Sequence, residues 1–305
     1  MTSIANPFGA FFDRSLSQMT DLRGSIETLQ SQIATGQRLT RGSDDPAAAA
    51  RLRALARTER LSQVEEDNAD KLARDLGEAG DEILGVSYLL SRARELALQA
   101  ANDPTGERGR EAIAAELTQL SEELFDRANA QTLTGEPLFA GTAAGPAFTR
   151  DASGTVTYNG NTDVSDVPIA PGTEIERGLP GSEIFEFELA GTPTSAFAIL
   201  NDLAAALSGG SPNPGAAAAA AVEGLDAALD STTRSQTILG TRLAWVETIQ
   251  QGQDDRRITI AEQRSQIGDT DLGEAISRLQ QTLTTLEATQ ASFTRVSSLT
   301  LFDAL

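Results

Sequence analysis

The sequence has 305 residues with 44 acidic and 24 basic side chains, so its formal net charge is −20. This charge repels polyanions, and we therefore expect neither nucleic acid nor a membrane surface as a partner. The chain contains no cysteine, no histidine and a single lysine, Lys71, which excludes thiol nucleophiles and the Ser–His–Asp triad. We expect no catalytic residue, no cofactor and no metal site, and so a protein that is not an enzyme.

Apolar residues make up 40% of the chain and aromatic residues only 5%, so its core has to be built from leucine, isoleucine and alanine. Proline is confined mainly to residues 137–215, which hold eight of the eleven prolines, whereas residues 216–305 hold none. This distribution predicts a mainly α fold: a long coiled-coil-like helical rod of paired N- and C-terminal segments, with a small β-rich inserted outer domain.

The first helix is predicted from an apolar seam with three- and four-residue spacing, which is typical of a coiled coil. The seam consists of Leu16, Met19, Leu22, Ile26, Leu29 and Ile33. A polar loop follows and ends in Ser43, Asp44, Asp45 and Pro46. Asp45 can accept hydrogen bonds from free helix amides and Pro46 suits the first helical position, so these four residues are predicted to form a loop and helix cap. A catalytic pair of Asp44 and Asp45 is a remote alternative.

A second helix is predicted from Pro46 to Asn102, and a third follows with an apolar stripe from Ile113 to Ala128. The insert should contain strands at residues 154–160 and 184–189, a turn at Pro171-Gly172 and a short amphipathic helix at 196–207. The segment 209–215 is rich in glycine and proline and is predicted to be a linker.

The C-terminal third is predicted to be helical again, with a polar break at residues 268–271. Asp269 and Asp271 in this break suggest calcium, but an EF-hand loop needs further oxygen ligands where Gly273 and Glu274 stand, so helix capping is favoured. After the break a last seam mirrors the first one: Leu272, Ile276, Leu279, Leu283, Leu286 and Phe293.

Two structures are compatible with these terminal seams. They can form an internal antiparallel hairpin within one monomer, or they can pack between subunits of an assembly. Narrow apolar stripes cover little area and leave apolar edges exposed, which favours an assembly interface. The predicted division is 1–46 with 268–305 as terminal coiled-coil helices, 47–136 with 216–267 as a helical bundle, and 137–215 as the insert.

Three parts of the sequence contain distinctive motifs. They are Ile33-Ala-Thr-Gly-Gln-Arg-Leu39 with Ser43-Asp-Asp-Pro46, then Ala93-Arg-Glu-Leu-Ala-Leu-Gln-Ala-Ala-Asn102, and Ile267-Gly-Asp-Thr-Asp-Leu-Gly-Glu-Ala-Ile-Ser277. Together these motifs resemble the flagellin superfamily. Pro46, the segment 137–141 and the leucine-containing end 298–305 are more similar to the branch of hook–filament junction proteins than to filament subunits. The start, residues 6–12, departs from the family pattern.

The resemblance implies a structural adaptor of the bacterial flagellum that joins hook to filament by self-assembly through its terminal helices. It implies as partners copies of the chain itself in a ring or helical layer, hook-associated protein type 1, flagellin and a flagellar export chaperone. It also implies type III export to the extracellular hook–filament junction. The alternative is flagellin, the filament subunit, and a secreted coiled-coil adhesin is a remote one.

Overall fold

The computed structural model describes residues 7–102 and 106–302, and long helices dominate it. The helices are α1 (Pro7–Thr35), α2 (Pro46–Asn102), α3 (Glu107–Ala128), α4 (Gly181–Phe185), α5 (Ala196–Ala205), α6 (Pro214–Gly268) and α7 (Leu272–Phe302). The strands are β1 (Phe148–Arg150), β2 (Val156–Tyr158), β3 (Asp166–Ala170), β4 (Thr173–Glu176), β5 (Glu186–Leu189) and β6 (Thr192–Ser195). The predicted mainly α fold with a small β-rich part is confirmed, as are both ends of α2.

The chain forms two compact units. The first, here called the terminal unit, contains Met1–Leu61 and Asp255–Leu305, and the second, here called the central unit, contains Ser62–Asp254. These limits differ from the boundaries predicted from the sequence, so the division into three parts stays a prediction. No helix in the described ranges is long and apolar enough to cross a membrane.

In the terminal unit, α1 packs antiparallel against α7. The rings of Phe12 and Phe293 meet edge to face with their centroids 5.1 Å apart. At the other end of the pair, Gln37 and Asp269 form an antiparallel β-bridge just beyond the helices. The two ends of the sequence therefore form a helical hairpin within a single chain, one of the two arrangements compatible with the seams.

The central unit has one hydrophobic core to which helices and insert both contribute. Leu72, Leu76, Ile83 and Leu90 of α2 are at most 1% exposed, because their spacing keeps one face of this helix against the other elements. They belong to the same buried cluster as four phenylalanines: Phe139, Phe148, Phe185 and Phe197. Residues 137–207 are therefore part of the core of this unit.

Among the described residues, the strands form three two-stranded antiparallel hairpins, namely β1–β2, β3–β4 and β5–β6. The predicted turn at Pro171-Gly172 connects β3 to β4, and Gly172 has the positive φ of +74° that such a turn requires. The strand predicted at residues 184–189 is wrong at its start. Ile184 and Phe185 are consecutive and both buried, so they lie in the short helix α4 rather than in an alternating strand.

The predicted amphipathic helix at 196–207 is confirmed as α5, which continues into a wider helical turn at Ala206–Gly210. Its apolar face is buried: Phe197, Leu200, Leu203 and Leu207 are each at most 3% exposed. The chain leaves the helix at Gly209, whose φ is +99°. The predicted linker at 209–215 is shorter than expected, because α6 already begins at Pro214.

Polar contacts fix the hairpin β3–β4 to the helices of the central unit. The side-chain amide of Asn68 donates to the carbonyl oxygen of Pro168 at 2.9 Å, and that of Gln253 to Ile169 at 2.6 Å. The Nε of Arg177, which follows β4, donates to the carboxylate of Asp75 at 2.7 Å. Since the side chain of Asp75 is only 9% exposed, this ion pair fixes the hairpin against one position of α2.

Candidate assembly interface

The two family-like motifs of the sequence ends meet in the terminal unit. The amide of Arg38 donates to the carbonyl oxygen of Gly268 at 2.7 Å, and the amide of Thr270 donates to that of Gly36 at 2.9 Å. Gly36 has a φ of +69°, which ends α1 and turns the chain into this contact. The loop after α1 is therefore bonded to the break between α6 and α7, although more than 220 residues separate them.

The side chain of Arg38 adds further hydrogen bonds to this contact. Its Nε and Nη2 donate to the carbonyl oxygen of Ile267 at 3.0 and 2.8 Å, at the C-terminal end of α6. The last carbonyls of a helix have no partner inside the helix and carry partial negative charge, so a cation is favourable there. Nη1 of Arg38 also lies 3.5 Å from Asp45 and joins the same contact to the start of α2.

The predicted cap residues lie where α2 begins. Oδ1 of Asp45 accepts from the amide of Ala48 at 3.0 Å, and Pro46 is the first helical residue. Oδ2 of Asp44 accepts from the amide of Arg41 at 2.8 Å and from a threonine hydroxyl. Ser43 is exposed. The two carboxylates serve separate turns, and nothing in this geometry resembles a catalytic pair.

The carboxylates in the break between α6 and α7 also accept hydrogen bonds from neighbouring residues. Oδ1 of Asp271 accepts from the amide of Glu274 at 3.0 Å, at the start of α7, and Oδ2 of Asp269 accepts from the hydroxyl of Ser265 at 2.6 Å. No group of three or more acidic side chains that could hold a metal occurs among residues 7–102 and 106–302.

The contact between α1 and α7 contains only part of each terminal seam, because the buried face of each helix is rotated relative to the predicted one. Met19 and Ile26 are 8% exposed and face α7, where Ala275 is 5% exposed. Leu22, Leu29, Ile33, Leu279, Leu286 and Phe293 are half-buried. Ser15 of α1 is also buried, and Thr282 and Thr289 of α7 are half-buried, at contact positions where the sequence analysis found no seam.

The other predicted seam residues are exposed: Leu16 is 54%, Leu272 49%, Ile276 45% and Leu283 39% exposed. Leu16 follows the contact position Ser15 by one residue, and Ile276 and Leu283 follow Ala275 and Thr282 by one residue. A polar groove on the opposite flank of the helix pair is lined by Asp21, Ser25, Arg278 and Gln281. Because antiparallel helices present equivalent flanks to the same side, Leu16, Ile276 and Leu283 form one stripe, here called the exposed apolar flank.

Charge is distributed unequally between the two units. In its sequence ranges the terminal unit contains 13 acidic and 13 basic residues, whereas the central unit contains 31 acidic and 11 basic residues. The entire net charge of −20 therefore belongs to residues 62–254. Copies of the terminal unit can approach one another with little mutual repulsion, which copies of the central unit cannot.

We expect Arg38→Gln to destabilise the terminal unit, because it leaves the last carbonyl groups of α6 without their cation. The loss should be about 1.5 kcal/mol, the lower end of the usual contribution of hydrogen bonds to a charged group, because the side chain of Arg38 is exposed. Hydrogen exchange at the C-terminal turn of α6 would measure it. Arg23→Gln is the matched control, since Arg23 is exposed on α1 and should change little. Equal protection in the two variants would contradict the role of Arg38.

The aspartates at the start of α2 predict that the stability of the terminal unit depends on pH. Hydrogen bonds from backbone amides, chiefly those of Arg41 and Ala48, lower the pKa values of Asp44 and Asp45 below their ordinary 3.8. Because the folded pKa values are the lower ones, their stabilisation is complete above about pH 3.8 and is lost as the pH falls through the folded values. Carboxyl-carbon NMR titration should show both groups titrating below the ordinary value of 3.8. Titration at the ordinary value would contradict the caps.

Known protein families include one that the chain resembles in sequence. Residues 14–144 match the model of the bacterial flagellin N-terminal helical region. The resemblance to the flagellin superfamily that was found in the sequence is thereby confirmed.

Within this superfamily the chain is similar to hook-associated protein 3. It is 26% identical to "Flagellar hook-associated protein 3" of Escherichia coli (strain K12), over 96% of each chain. The solved structure of a putative flagellar hook-associated protein from Vibrio parahaemolyticus has the same fold, with a TM-score of 0.67, 24% identity and coverage of 74% of this chain and 100% of that one. Flagellin of Clostridium tyrobutyricum is 25% identical, but over only 50% of this chain and 41% of that protein.

Proposed function

We propose that the chain is a structural subunit of the flagellum that joins hook to filament by assembling through its terminal unit. One observation carries the proposal: the motifs of both sequence ends are bonded into a helical hairpin that still leaves the exposed apolar flank uncovered. Leu16, Ile276 and Leu283 recur along one side, as expected of a surface that a neighbouring subunit covers.

The charge distribution supports the same arrangement. The sequence ranges of the terminal unit carry no net charge, so terminal units can pack closely against one another in a helical or ring assembly. The central units carry −20 each and repel one another, so they are favoured on the outside, where solvent and salt screen them.

A filament subunit is the second candidate, because both kinds of protein belong to this superfamily. The comparison favours the junction role, since the match to hook-associated protein 3 extends over nearly the whole chain and the match to flagellin over half of it. A secreted adhesin has no specific observation in its favour. We propose as partners copies of the chain, hook-associated protein type 1, flagellin and an export chaperone, after type III export to the hook–filament junction.

Deletion of the gene distinguishes the two candidates. Without a junction protein, cells should keep their hooks and release unpolymerised filament protein into the medium. Without the filament protein itself, no such monomer is released. Electron microscopy of the cells and immunoblots of the medium give the two readouts, and immunolabelling with antibody against residues 137–215 should place the chain in a narrow band at the hook. Labelling along the entire filament would favour the filament subunit.

A further inference from the structure

Three arginines form an exposed row on the part of α2 that belongs to the terminal unit. Arg53, Arg57 and Arg60 follow a four–three spacing, which places them on one side of the helix. All three are exposed, and none forms an ion pair with another residue in the described ranges. Leu61, four residues after Arg57, is 56% exposed. This surface, here called the arginine row, therefore presents uncompensated positive charge beside an apolar side chain.

The central unit contains a groove of the opposite character, between β5 and α6. Phe187 and Ile238 contribute apolar surface to it. Its acidic side chains are all exposed and, within the described part of the chain, form no ion pair: Glu183, Glu186, Glu188 and Asp230. Of the described residues that line it, Arg234 alone is basic, and its Nε donates to the backbone carbonyl of Asp230 at 3.3 Å. We call this feature the acidic groove.

The two surfaces match in spacing as well as in charge. Glu186 and Glu188 are two residues apart on one face of a strand, about 6.7 Å along its axis. Arg53 and Arg57 are four residues apart in a helix, a rise of about 6 Å. Desolvation by neighbouring residues raises the pKa of Glu186, so a cation beside this carboxylate would stabilise its charged form.

We propose that the arginine row of one copy docks into the acidic groove of a second copy. The inference rests on the proposed function, that copies of this chain assemble. It commits to a second copy because every copy carries both surfaces, on units whose net charges differ by 20. Such a contact is heterologous: each subunit offers its row to one neighbour and its groove to another, so the contact can propagate through a layer or ring.

Cysteine cross-linking tests the contact directly, because the native chain contains no cysteine. The variant R57C/E188C is expressed in cells that lack the native gene, and their isolated flagella are treated with a short bifunctional maleimide. We expect covalent dimers and higher multimers of this chain on denaturing gels, and only monomer from R57C or E188C alone. The control R57C/R108C pairs the arginine row with Arg108, an exposed arginine of the central unit outside the acidic groove. If it gave an equally strong series of multimers, the specific contact between row and groove would be wrong.

Charge exchange provides the second measurement. R53E/R57E and E186R/E188R should each lower the amount of chain retained in isolated flagella about tenfold, since two attractive pairs become repulsive. The combined variant R53E/R57E/E186R/E188R should recover most of it. R74E/R108E changes the net charge by the same amount as R53E/R57E but should retain native levels. Failure of the combined variant to recover would overturn the docking.

These outcomes separate the docking from the proposed function. If the native chain is absent from isolated flagella, the proposed function itself is wrong. If the R57C/E188C chain is present in flagella but yields only monomer, or is cross-linked only to a different flagellar protein, the function stands and the docking between copies is wrong.

Discussion

Replacing Ile276 and Leu283 by aspartate should abolish assembly while leaving the monomer folded. Both side chains are exposed in the single chain, at 45% and 39%. The substitutions therefore destabilise the helix only through the lower helix propensity of aspartate, by about 0.5 kcal/mol per residue. In an assembly that covers the exposed apolar flank, two unpaired carboxylates would be buried, at about 2 kcal/mol or more each. The resulting 4 kcal/mol corresponds to an association weaker by about a thousandfold.

The measurement compares circular dichroism of the purified variant with its presence in isolated flagella. Gln281→Asp with Thr284→Asp is the matched control, because it adds the same charge to the same helix on its polar side. Leu279→Asp provides a contrast, since Leu279 is half-buried against α1 and its replacement should disrupt the hairpin itself. Normal incorporation of I276D/L283D would show that the flank is not an interface.

Phe185→Ala should destabilise the central unit by about 3–5 kcal/mol, the usual cost of removing a fully buried phenylalanine. Its ring is fully buried and contacts those of Phe148 and Phe197, with centroids 5.2 and 5.4 Å away. These residues belong to the insert, but the cluster they form is continuous with α2 and α3. Loss of the ring should therefore weaken the helices as well as the insert.

Urea unfolding monitored by circular dichroism and by the single tryptophan, Trp245 of α6, measures this effect on the whole unit. Phe187→Ala is the control, because Phe187 lies two residues further on and is only half-buried, so that about 1 kcal/mol is expected. If Phe185→Ala left the transition seen by Trp245 unchanged, the insert would be an independent domain, as the sequence suggested.

Local signals in the sequence were sufficient for the long helices and for most of their ends. Asp45 and Pro46 predict the start of α2, and the structure confirms it, because capping depends only on residues within one turn. The break at 268–271 and the turn at Pro171-Gly172 have the same local origin. In contrast, the alternation of apolar and acidic residues from Phe185 to Leu189 suggests a strand that begins at Ile184. The core buries both Ile184 and Phe185, however, and so selects the helix α4.

The candidate assembly interface likewise depends partly on local sequence patterns and partly on long-range contacts. Leucine and isoleucine spacing correctly indicated two helices with apolar stripes, since this pattern reflects the helical period alone. Which edge of each stripe faces the partner was decided by the antiparallel pairing, which places the small or polar Ser15, Ala275 and Thr282 in the contact and leaves Leu283 exposed. Small side chains at a close contact carry no hydrophobic signal, so no periodicity analysis detects them.

By itself the sequence determined the resemblance to the flagellin superfamily, the mainly helical fold and the excess of negative charge, because motifs, periodicity and composition are properties of the chain in one dimension. Only the tertiary structure decided that Arg38 caps α6, that the insert shares the core of α2, and that the net charge belongs to one compact unit. Each of these depends on residues far apart in the chain becoming neighbours, and the free energy of such contacts is not encoded in any local pattern.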